Sequence, residues 1–258
     1  MGAPGHFLQD PQLIVYEAEE PGDVLRIRRE VEGRAWAGRH GIPTAETVAK
    51  DPDDRWLVSR RVVEEPRESA QYVAAALEMS RRIETLPHPR FVTEGATWRA
   101  PRRSRPVRVA RLVRAGVDLR AFTAVRRAFE ALPQVVTIHN DYHRDNVLNT
   151  SAAGHVTVID WEFTALGPRN QDMVRLIVDL QDADVARAAW RLLVESVPAA
   201  ERPALAVQLR WLALRTYASE VTVPARNLDH VKSARRRARW LEAQRWAAEL
   251  VADQQETP

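Results

Sequence analysis

The chain has 258 residues, of which 45% are hydrophobic and 28% are charged, so it can bury a core and keep a solvated surface. It contains no cysteine, which excludes disulfides, thiolate metal sites and a cysteine nucleophile. No apolar run reaches the length that spans a bilayer, and residues 1–10 lack the basic start and apolar stretch of a secretory signal. We therefore expect a cytoplasmic protein with no membrane partner.

Arginine accounts for much of the basic character of the chain. The sequence pI is about 9.6, although the formal net charge is only +3. A nucleic-acid surface and an ordinary solvated face are both possible interpretations of clustered arginines. No zinc finger or RNA-recognition signature accompanies the clusters, so we expect no nucleic-acid partner. The clusters are Arg102, Arg103, Arg105 and Arg108, and Arg235, Arg236, Arg237 and Arg239.

The first sixty residues combine strand and helix patterns. Two β-rich runs, residues 13–16 and 24–27, flank a turn at Pro21-Gly22 and predict a hairpin. A helical pattern follows over residues 29–40, and residues 56–59 predict a third strand. This part of the chain therefore predicts a small mixed lobe.

The rest of the chain is mostly helical in pattern. The region of residues 87–106 has the composition of a loop, with several prolines and the first arginine cluster. Helices are predicted over residues 69–83 and 119–132 and from Asp182 to the C-terminus, with breaks at Pro198, Pro203 and Pro224. We expect an α+β protein with a small N-terminal lobe, residues 1–63, and a larger helical lobe, residues 64–258.

Polar residues flank two short apolar runs in the middle of the chain. Residues 147–148 and 156–159 can pair as an antiparallel hairpin through a turn at residues 151–154. In such a hairpin the start of the first strand lies beside the end of the second strand. Asn146 and Asp160 therefore meet at one end of the hairpin.

An amide oxygen and a carboxylate at one place form an open, all-oxygen site. Such a site suits Mg²⁺, which takes few protein ligands and completes its octahedron with water and phosphate oxygens. Asp141 lies five residues before Asn146, on the loop that enters the hairpin. From there its carboxylate can accept a proton from a hydroxyl group held in line with a metal-bound phosphate.

Three motifs carry a resemblance to a known family. The string from His139 to Asn146, His-Asn-Asp-Tyr-His-Arg-Asp-Asn, resembles the His-x-Asp-x-x-x-x-Asn loop of the aminoglycoside phosphotransferase and choline kinase group. The string Ile-Asp-Trp-Glu at residues 159–162 resembles the metal motif of that group, and residues 167–173 resemble a later segment with a further aspartate. The resemblance covers residues 135–176, and it implies a protein-kinase-like fold with two lobes.

The resemblance also implies roles for individual residues. Asp141 would be the catalytic base, and His143 would lie close to the substrate and the transferring phosphate. Asn146 and Asp160 would bind Mg²⁺ bridging the phosphates of ATP. Glu162 would either bind a metal ion or make a structural hydrogen bond.

Two further residues of the motifs have structural roles in this interpretation. His139 would brace the loop, and Asp172 would hold the loop backbone from the helix that follows. Asp145 is a possible third carboxylate ligand, although a solvated loop residue is the simpler interpretation.

The N-terminal lobe departs from the family pattern. Kinases of this kind grip the ATP phosphates with a strand lysine that pairs with a helix glutamate. No lysine precedes Lys50 in this chain, and the run of residues 24–27 resembles the lysine strand with Arg26 in its place. Glu30 is the expected partner of Arg26, and Arg28 is the alternative cation.

The adenine is expected to bind near the end of the third strand. By the resemblance, backbone groups from Ser59 to Val62 would form hydrogen bonds with it. No glycine lies between Gly5 and Gly22, so a glycine-rich phosphate loop is absent there. The absence of a Walker motif from the whole sequence excludes a P-loop NTPase.

The sequence therefore favours a phosphotransferase that uses ATP or GTP with Mg²⁺ on a hydroxyl group of a small molecule. An antibiotic, with a role in resistance or self-protection, and a related metabolite are the expected substrates. The chain from residue 220 to the end contains six acidic residues and seven lysines and arginines. This balance of charge favours a neutral or anionic substrate over a polycation. The alternatives are a pseudokinase that binds nucleotide without catalysis and a basic adaptor or RNA-binding protein.

Overall fold

The computed structural model describes residues 10–65, 69–90, 105–151, 155–223 and 227–255. Strands and helices alternate in the first part of this chain, and helices dominate the last part. The strands are β1 (Leu13–Glu17), β2 (Thr47–Lys50), β3 (Trp56–Arg60), β4 (Val136–Ile138), β5 (Val147–Asn149), β6 (Val156–Val158) and β7 (Ala165–Gly167). The helices are α1 (Pro21–Arg39), α2 (Ala70–Glu84), α3 (Arg105–Arg114), α4 (Leu119–Glu130), α5 (Gln171–Asp179), α6 (Ala183–Glu195), α7 (Arg202–Val221) and α8 (His230–Gln255).

The first hairpin predicted from the sequence is wrong, because the run Val24–Ile27 belongs to α1. Pro21 occupies the first turn of this helix, where its fixed φ and missing N–H are favourable. The Asp23 carboxylate accepts the backbone N–H of Glu20 at 3.0 Å, which completes a capping box at the N-terminus. The start signals of the helix therefore outweigh the strand propensity of four aliphatic and basic residues.

Strands β1, β3 and β2 form an antiparallel sheet in that spatial order. In its register Tyr16 pairs with Leu57, and Ile14 pairs with Ser59. Paired residues of antiparallel strands share a face of the sheet, and residues two apart on a strand share it too. Helix α1 packs on this face, and the hydrogen bond from the Arg34 side chain to the Ser59 hydroxyl shows this contact.

The second predicted hairpin is confirmed by the pairing of β5 and β6. Val147 lies opposite Val158, and the N–H of Ile159 donates to the carbonyl of Asn146 at 2.9 Å. The hairpin therefore places Asn146 beside the residue that precedes Asp160. Within the predicted turn, residues 152–154 lie outside the described residues.

The Cα positions divide the chain into two compact units. One comprises the described residues within Met1–Ala96 and Val135–Gly167, and the other comprises those within Thr97–Gln134 and Pro168–Pro258. The first unit holds β1 to β7, which are the strands of the described residues, and the loop between β4 and β5. The division into a nucleotide-binding lobe, residues 1–63, and a catalytic lobe, residues 64–258, stays a prediction.

The second unit consists of helices packed around α7. Helices α4, α5 and α8 contact α7, and the rings of Tyr217 and Trp240 stack with centroids 5.3 Å apart. Pro203 lies in the first turn of α7, where it begins the helix and does not break it. Among the helices that the structure describes, none combines the length and apolar composition needed to cross a membrane.

Some predictions fall partly outside the described residues. Arg102 and Arg103 of the first arginine cluster, most of the loop predicted over residues 87–106, and the helix break at Pro224 lie there. The end of that predicted loop is helical, since α3 begins at Arg105.

Candidate active site

The loop between β4 and β5 is closed by hydrogen bonds of its own backbone. The carbonyl of Asp141 accepts the N–H of His143 at 3.0 Å, and the carbonyl of His143 accepts the N–H of Asn146 at 2.9 Å. The loop is entered through Asn140, which has a φ of 67°. Asparagine adopts this left-handed conformation more readily than most residues. These contacts fix the backbone from which the Asp141 carboxylate projects.

Two neighbours orient the Asp141 carboxylate. Nδ2 of Asn146 lies 3.0 Å from the Asp141 carbonyl and 3.3 Å from Oδ2 of its carboxylate. Nε2 of His143 lies 3.4 Å from the same Oδ2. The side chain of Asp141 is 28% exposed, so its carboxylate remains accessible to a substrate hydroxyl. Because the Asn146 amide nitrogen is directed at Asp141, its amide oxygen faces away from that carboxylate.

Asp160 follows β6 in a left-handed conformation, with φ of 65° and ψ of 63°. Burial, and then the negative charges of Glu30, Glu162 and Asp141, raise the pKa of Asp160 to about 7. Arg26 opposes this shift, yet it is the weakest of the five influences. The site therefore gathers more negative charge than its own cations neutralise.

This donor set fits a divalent cation. A bound cation would offset the burial and the carboxylate repulsion that together raise the pKa of Asp160. Asn146 and Asp160 both offer oxygen donors at one end of the β5–β6 hairpin, the ligand chemistry that Mg²⁺ prefers.

His139 packs beneath this region as a neutral, buried side chain. Its Nε2 lies 2.9 Å from the carbonyl of Ile159, and its ring meets the Trp161 ring edge-on at 4.8 Å. Burial, above all, lowers the pKa of His139 to about 4. The side chain therefore joins the loop before Asp141 to the backbone before Asp160.

Arg26 lies on α1, where the sequence predicts a strand, and its contacts differ from those expected. Its guanidinium binds the Glu162 carboxylate through Nε at 2.7 Å and Nη2 at 2.6 Å. The Glu162 side chain is 5% exposed, and that of Arg26 is 61% exposed. Glu162 thus has a structural partner, which is one of the two roles that the sequence left open.

Glu30 pairs with Arg34 and not with the expected Arg26. Its carboxylate accepts hydrogen bonds from Nε of Arg34 and from the backbone N–H of Trp161. Nη1 of Arg34 donates to the hydroxyl of Ser59. Both Glu30 and Arg34 are buried. Arg26 and Arg34 both lie four residues from Glu30 on the helix, but a glutamate that precedes its cation is the more favourable order, and this order is the sequence signal for Arg34.

The sequence interpretation also missed Tyr16, which lies on β1 next to this pair. The Arg34 guanidinium carbon is 6.0 Å from the centroid of the Tyr16 ring, and Tyr16 is 40% exposed. Aromatic residues on strands are usually assigned to the core, so the pattern alone gives no sign of a polar role.

The remaining predicted nucleotide contacts lie around β3. Ser59 is buried with its hydroxyl on Arg34, and Val62 is half-buried just after the strand. Arg28, the alternative phosphate cation, donates through Nε to the Asp54 carboxylate at 2.8 Å. Adenine binding by the segment from Ser59 to Val62 stays a prediction.

Comparison with known proteins identifies the relatives of this chain. The model of the phosphotransferase enzyme family, APH, matches residues 8–207. None of the curated proteins matches the chain.

Several solved structures share the fold. A choline/ethanolamine kinase family protein from Mesorhizobium loti is 18% identical, with a TM-score of 0.57, over 96% of this chain and 84% of the other. The amicoumacin kinase hAmiN, in complex with AMP-PNP, Ca²⁺ and Ami, is 15% identical, with a TM-score of 0.57, over 93% and 87%. An aminoglycoside phosphotransferase from Alicyclobacillus acidocaldarius is 16% identical, with a TM-score of 0.55, over 94% and 87%. These similarities confirm the expected kinase-like α+β fold.

Proposed function

We propose that this chain, which belongs to the phosphotransferase enzyme family and is a small-molecule kinase, transfers the γ-phosphate of ATP to a hydroxyl group of its substrate. One observation carries the proposal: the Asp141 carboxylate, the Asn146 amide and Asp160 lie together at one end of the β5–β6 hairpin. Phosphoryl transfer to an alcohol requires a base and oxygen ligands for a metal ion. It does not require a covalent nucleophile from the protein.

Asp141 is the proposed general base. Its partly exposed carboxylate accepts the proton of the substrate hydroxyl as that oxygen attacks phosphorus. Asn146 holds the carboxylate in place, and His143, at 3.4 Å from it, lies where it can contact the substrate or the transferring phosphate. Because these two neighbours orient the carboxylate, little side-chain conformational freedom has to be lost when it acts as a base.

Asn146 and Asp160 are the proposed Mg²⁺ ligands, and Glu162 supports them from its ion pair with Arg26. Held by these residues, Mg²⁺ would neutralise charge on the nucleotide phosphates. The backbone hydrogen bond between Ile159 and Asn146 supports this assignment, because it holds the two donor residues at the same end of the hairpin.

The finer identity of the ligands is also proposed. ATP is the expected nucleotide, with GTP as the alternative, and the cytoplasm is the expected location because both nucleotides and Mg²⁺ are abundant there. Relatives include an amicoumacin kinase and an aminoglycoside phosphotransferase, so we propose an antibiotic or a related hydroxylated metabolite as the substrate.

Charges in the helical unit favour a neutral or anionic substrate over a polycation. Asp179 on α5 lies 3.6 Å from Arg236, and Glu220 on α7 lies 3.0 Å from the same guanidinium. Asp182 caps the N-terminus of α6 by accepting two backbone N–H groups. Carboxylates with such partners offer less to a polycationic ligand than free carboxylates would.

The test is a phosphorylation assay of the wild type and Asp141→Asn against hydroxylated antibiotics and metabolites with Mg–ATP. We expect one compound class to gain a phosphate, and we expect the variant to lose roughly 10²–10⁴-fold in kcat while it melts normally. Turnover by Asp141→Asn at the wild-type rate would remove Asp141 from the mechanism. Wild-type protein that neither binds Mg–ATP nor phosphorylates any compound would overturn the proposed function.

A further inference from the structure

The strand that precedes the glutamate-bearing helix carries no basic residue in this protein. Strand β1 reads Leu-Ile-Val-Tyr-Glu, whereas kinases supply from such a strand the lysine that pairs with the helix glutamate and grips the phosphates. The cation on Glu30 is instead Arg34, one turn further along the same helix. The charge pair is thus kept, but its cation comes from the helix.

Arg34 is too enclosed to serve as the outermost phosphate contact. It is 5% exposed, with Nε on Glu30 and Nη1 on the Ser59 hydroxyl. Arg26 is more exposed, but it is held by Glu162. A nucleotide phosphate therefore needs an intermediate polar group to benefit from the buried charge of Arg34.

Tyr16 is placed to be that group. Its register partner is Leu57, so it lies on the face of the sheet that also carries Ser59 and meets Arg34. The Arg34 guanidinium lies 6.0 Å from the centre of its ring, while 40% of Tyr16 remains exposed. In the set formed by Glu30, Arg34 and Tyr16, the phenol is the most exposed member.

Electrostatics link Tyr16 to the metal motif as well. Burial raises the pKa of Tyr16, the charges of Glu30 and Asp160 act in the same direction, and the charge of Arg34 and a hydrogen bond from it act in the opposite direction. The charges of both the buried cation and a proposed metal ligand therefore act on the phenol.

We propose that Tyr16 and Arg34 together form the nucleotide-phosphate contact of this protein, in place of a strand lysine. The Arg34 guanidinium polarises the phenol, and the Tyr16 O–H donates a hydrogen bond to a phosphate oxygen. This inference rests on the proposed function, because it names residues of the same nucleotide site.

The first experiment compares Mg–ATP with adenosine by titration calorimetry. Tyr16→Phe keeps the ring that packs on Arg34 and removes only the hydroxyl. We expect its affinity for Mg–ATP to fall on the order of tenfold, as for a hydrogen bond to a charged group, and its affinity for adenosine to stay unchanged. A merely structural role of Tyr16 would weaken both ligands or neither, and equal affinity of the variant and wild type for Mg–ATP would overturn the proposal.

The second experiment moves the cation from the helix to the strand. Arg34→Met removes the charge at similar length, and we expect Mg–ATP affinity to fall while adenosine still binds. Adding Tyr16→Lys to this variant places an ammonium group on β1 beside Glu30, and we expect it to restore Mg–ATP binding. A double variant that melts like the wild type without regaining Mg–ATP affinity would contradict the proposal.

Two controls separate the possible failures. Arg126→Ala removes an exposed arginine of α4 that pairs with Glu130, and its nucleotide affinity should equal that of the wild type. If variants at Arg34 fail to fold, Tyr16→Phe and Tyr16→Lys in the wild-type background still test the proposal. The lysine variant should bind Mg–ATP at least as well as wild type. Wild type that binds neither ligand would overturn the proposed function and this inference with it.

Discussion

Arg26 and Glu162 form a two-pronged ion pair that joins α1 to the segment after β6. The pair connects residues 136 positions apart, with donor–acceptor distances of 2.7 and 2.6 Å. Glu30, on the same helix, accepts the N–H of Trp161. Helix α1 thus holds the two residues that directly follow Asp160, which makes the helix part of the candidate active site.

Removal of Arg26 should destabilise the protein through Glu162. Arg26→Ala leaves a carboxylate that is 5% exposed without its guanidinium, at an expected cost of about 1–2 kcal/mol in the free energy of unfolding. Urea denaturation measures the cost. Arg28→Ala is the matched control, because Asp54 keeps Lys50 at 3.7 Å, and we expect a clearly smaller loss of stability there. Equal effects of both variants would contradict a special role for the Arg26–Glu162 pair.

Asp160→Asn should make the protein more stable and inactive. The folded-state pKa of about 7 lies above the usual value of 3.8, so ionised Asp160 costs stability above pH 7 and costs nothing below about pH 4. We expect the variant to gain up to about 4 kcal/mol at pH 8, with the gain vanishing as the pH falls towards 4.

Thermal or urea unfolding at several pH values measures this gain, and a phosphorylation assay measures the loss of activity. Asp145→Asn serves as the control, since the Asp145 side chain is 69% exposed. A loss of stability in Asp160→Asn at pH 8 would show that burial and the neighbouring carboxylates do not destabilise ionised Asp160.

His139 should make the protein sensitive to acid. Its pKa of about 4 in the folded protein lies below the usual 6.5, so the unfolded chain binds a proton that the folded chain excludes between these values. Stability should therefore fall as the pH drops from 6.5 to 4, by about 3 kcal/mol from this residue alone.

The check is the pH dependence of the unfolding free energy in wild type and His139→Gln. The variant should be less stable at pH 7, because it loses the fit against Trp161, but its stability should fall less steeply in acid. His155→Gln, at an exposed position, should keep the wild-type slope. Identical slopes in wild type and His139→Gln would refute the assignment.

Two glycines of α1 provide a matched pair of substitutions. A Cβ on Gly33 would lie 2.5 Å from the Cβ of Trp161, whereas a Cβ on Gly38 would meet nothing within 4 Å. Gly33→Ala should therefore push α1 away from Trp161 at a cost of about 1–3 kcal/mol. Gly38→Ala should be stabilising by about 0.5–1 kcal/mol, because alanine has the better helix propensity.

Melting temperatures of the two variants test this directly, together with Mg–ATP affinity. Gly33→Ala should lose affinity as well as stability, since Trp161 follows Asp160. If both glycines tolerate alanine equally, the close approach of α1 to Trp161 does not limit the fold.

Local patterns in the sequence predicted the β5–β6 hairpin correctly. Two apolar runs separated by a polar turn leave few other pairings, and the period of two fixes which residues meet at the end. The ends of the hairpin then place Asn146 next to Ile159 without any long-range information. This part of the candidate site was therefore predictable from sequence.

The N-terminal contacts were not predictable in the same way. The run Val24–Ile27 is too short to separate strand from helix by period, and its aliphatic residues favour a strand although the capping residues Glu20 and Asp23 favour a helix. The bond of Arg26 to Glu162 and the bond of Trp161 to Glu30 depend on how α1 packs against the segment after β6. Such tertiary packing brings together residues more than 100 positions apart, which no local pattern encodes.

The left-handed backbone at position 160 also shapes how this protein can change over generations. Each non-glycine residue with positive φ in the described chain is an aspartate or an asparagine: Asp54, Asn140, Asp160 and Asn170. Asparagine fits this conformation as well as aspartate, and one base change in the codon converts one into the other. Under the proposed role of Asp160 as a metal ligand, a duplicated gene could lose activity through this one change and still encode a folded protein.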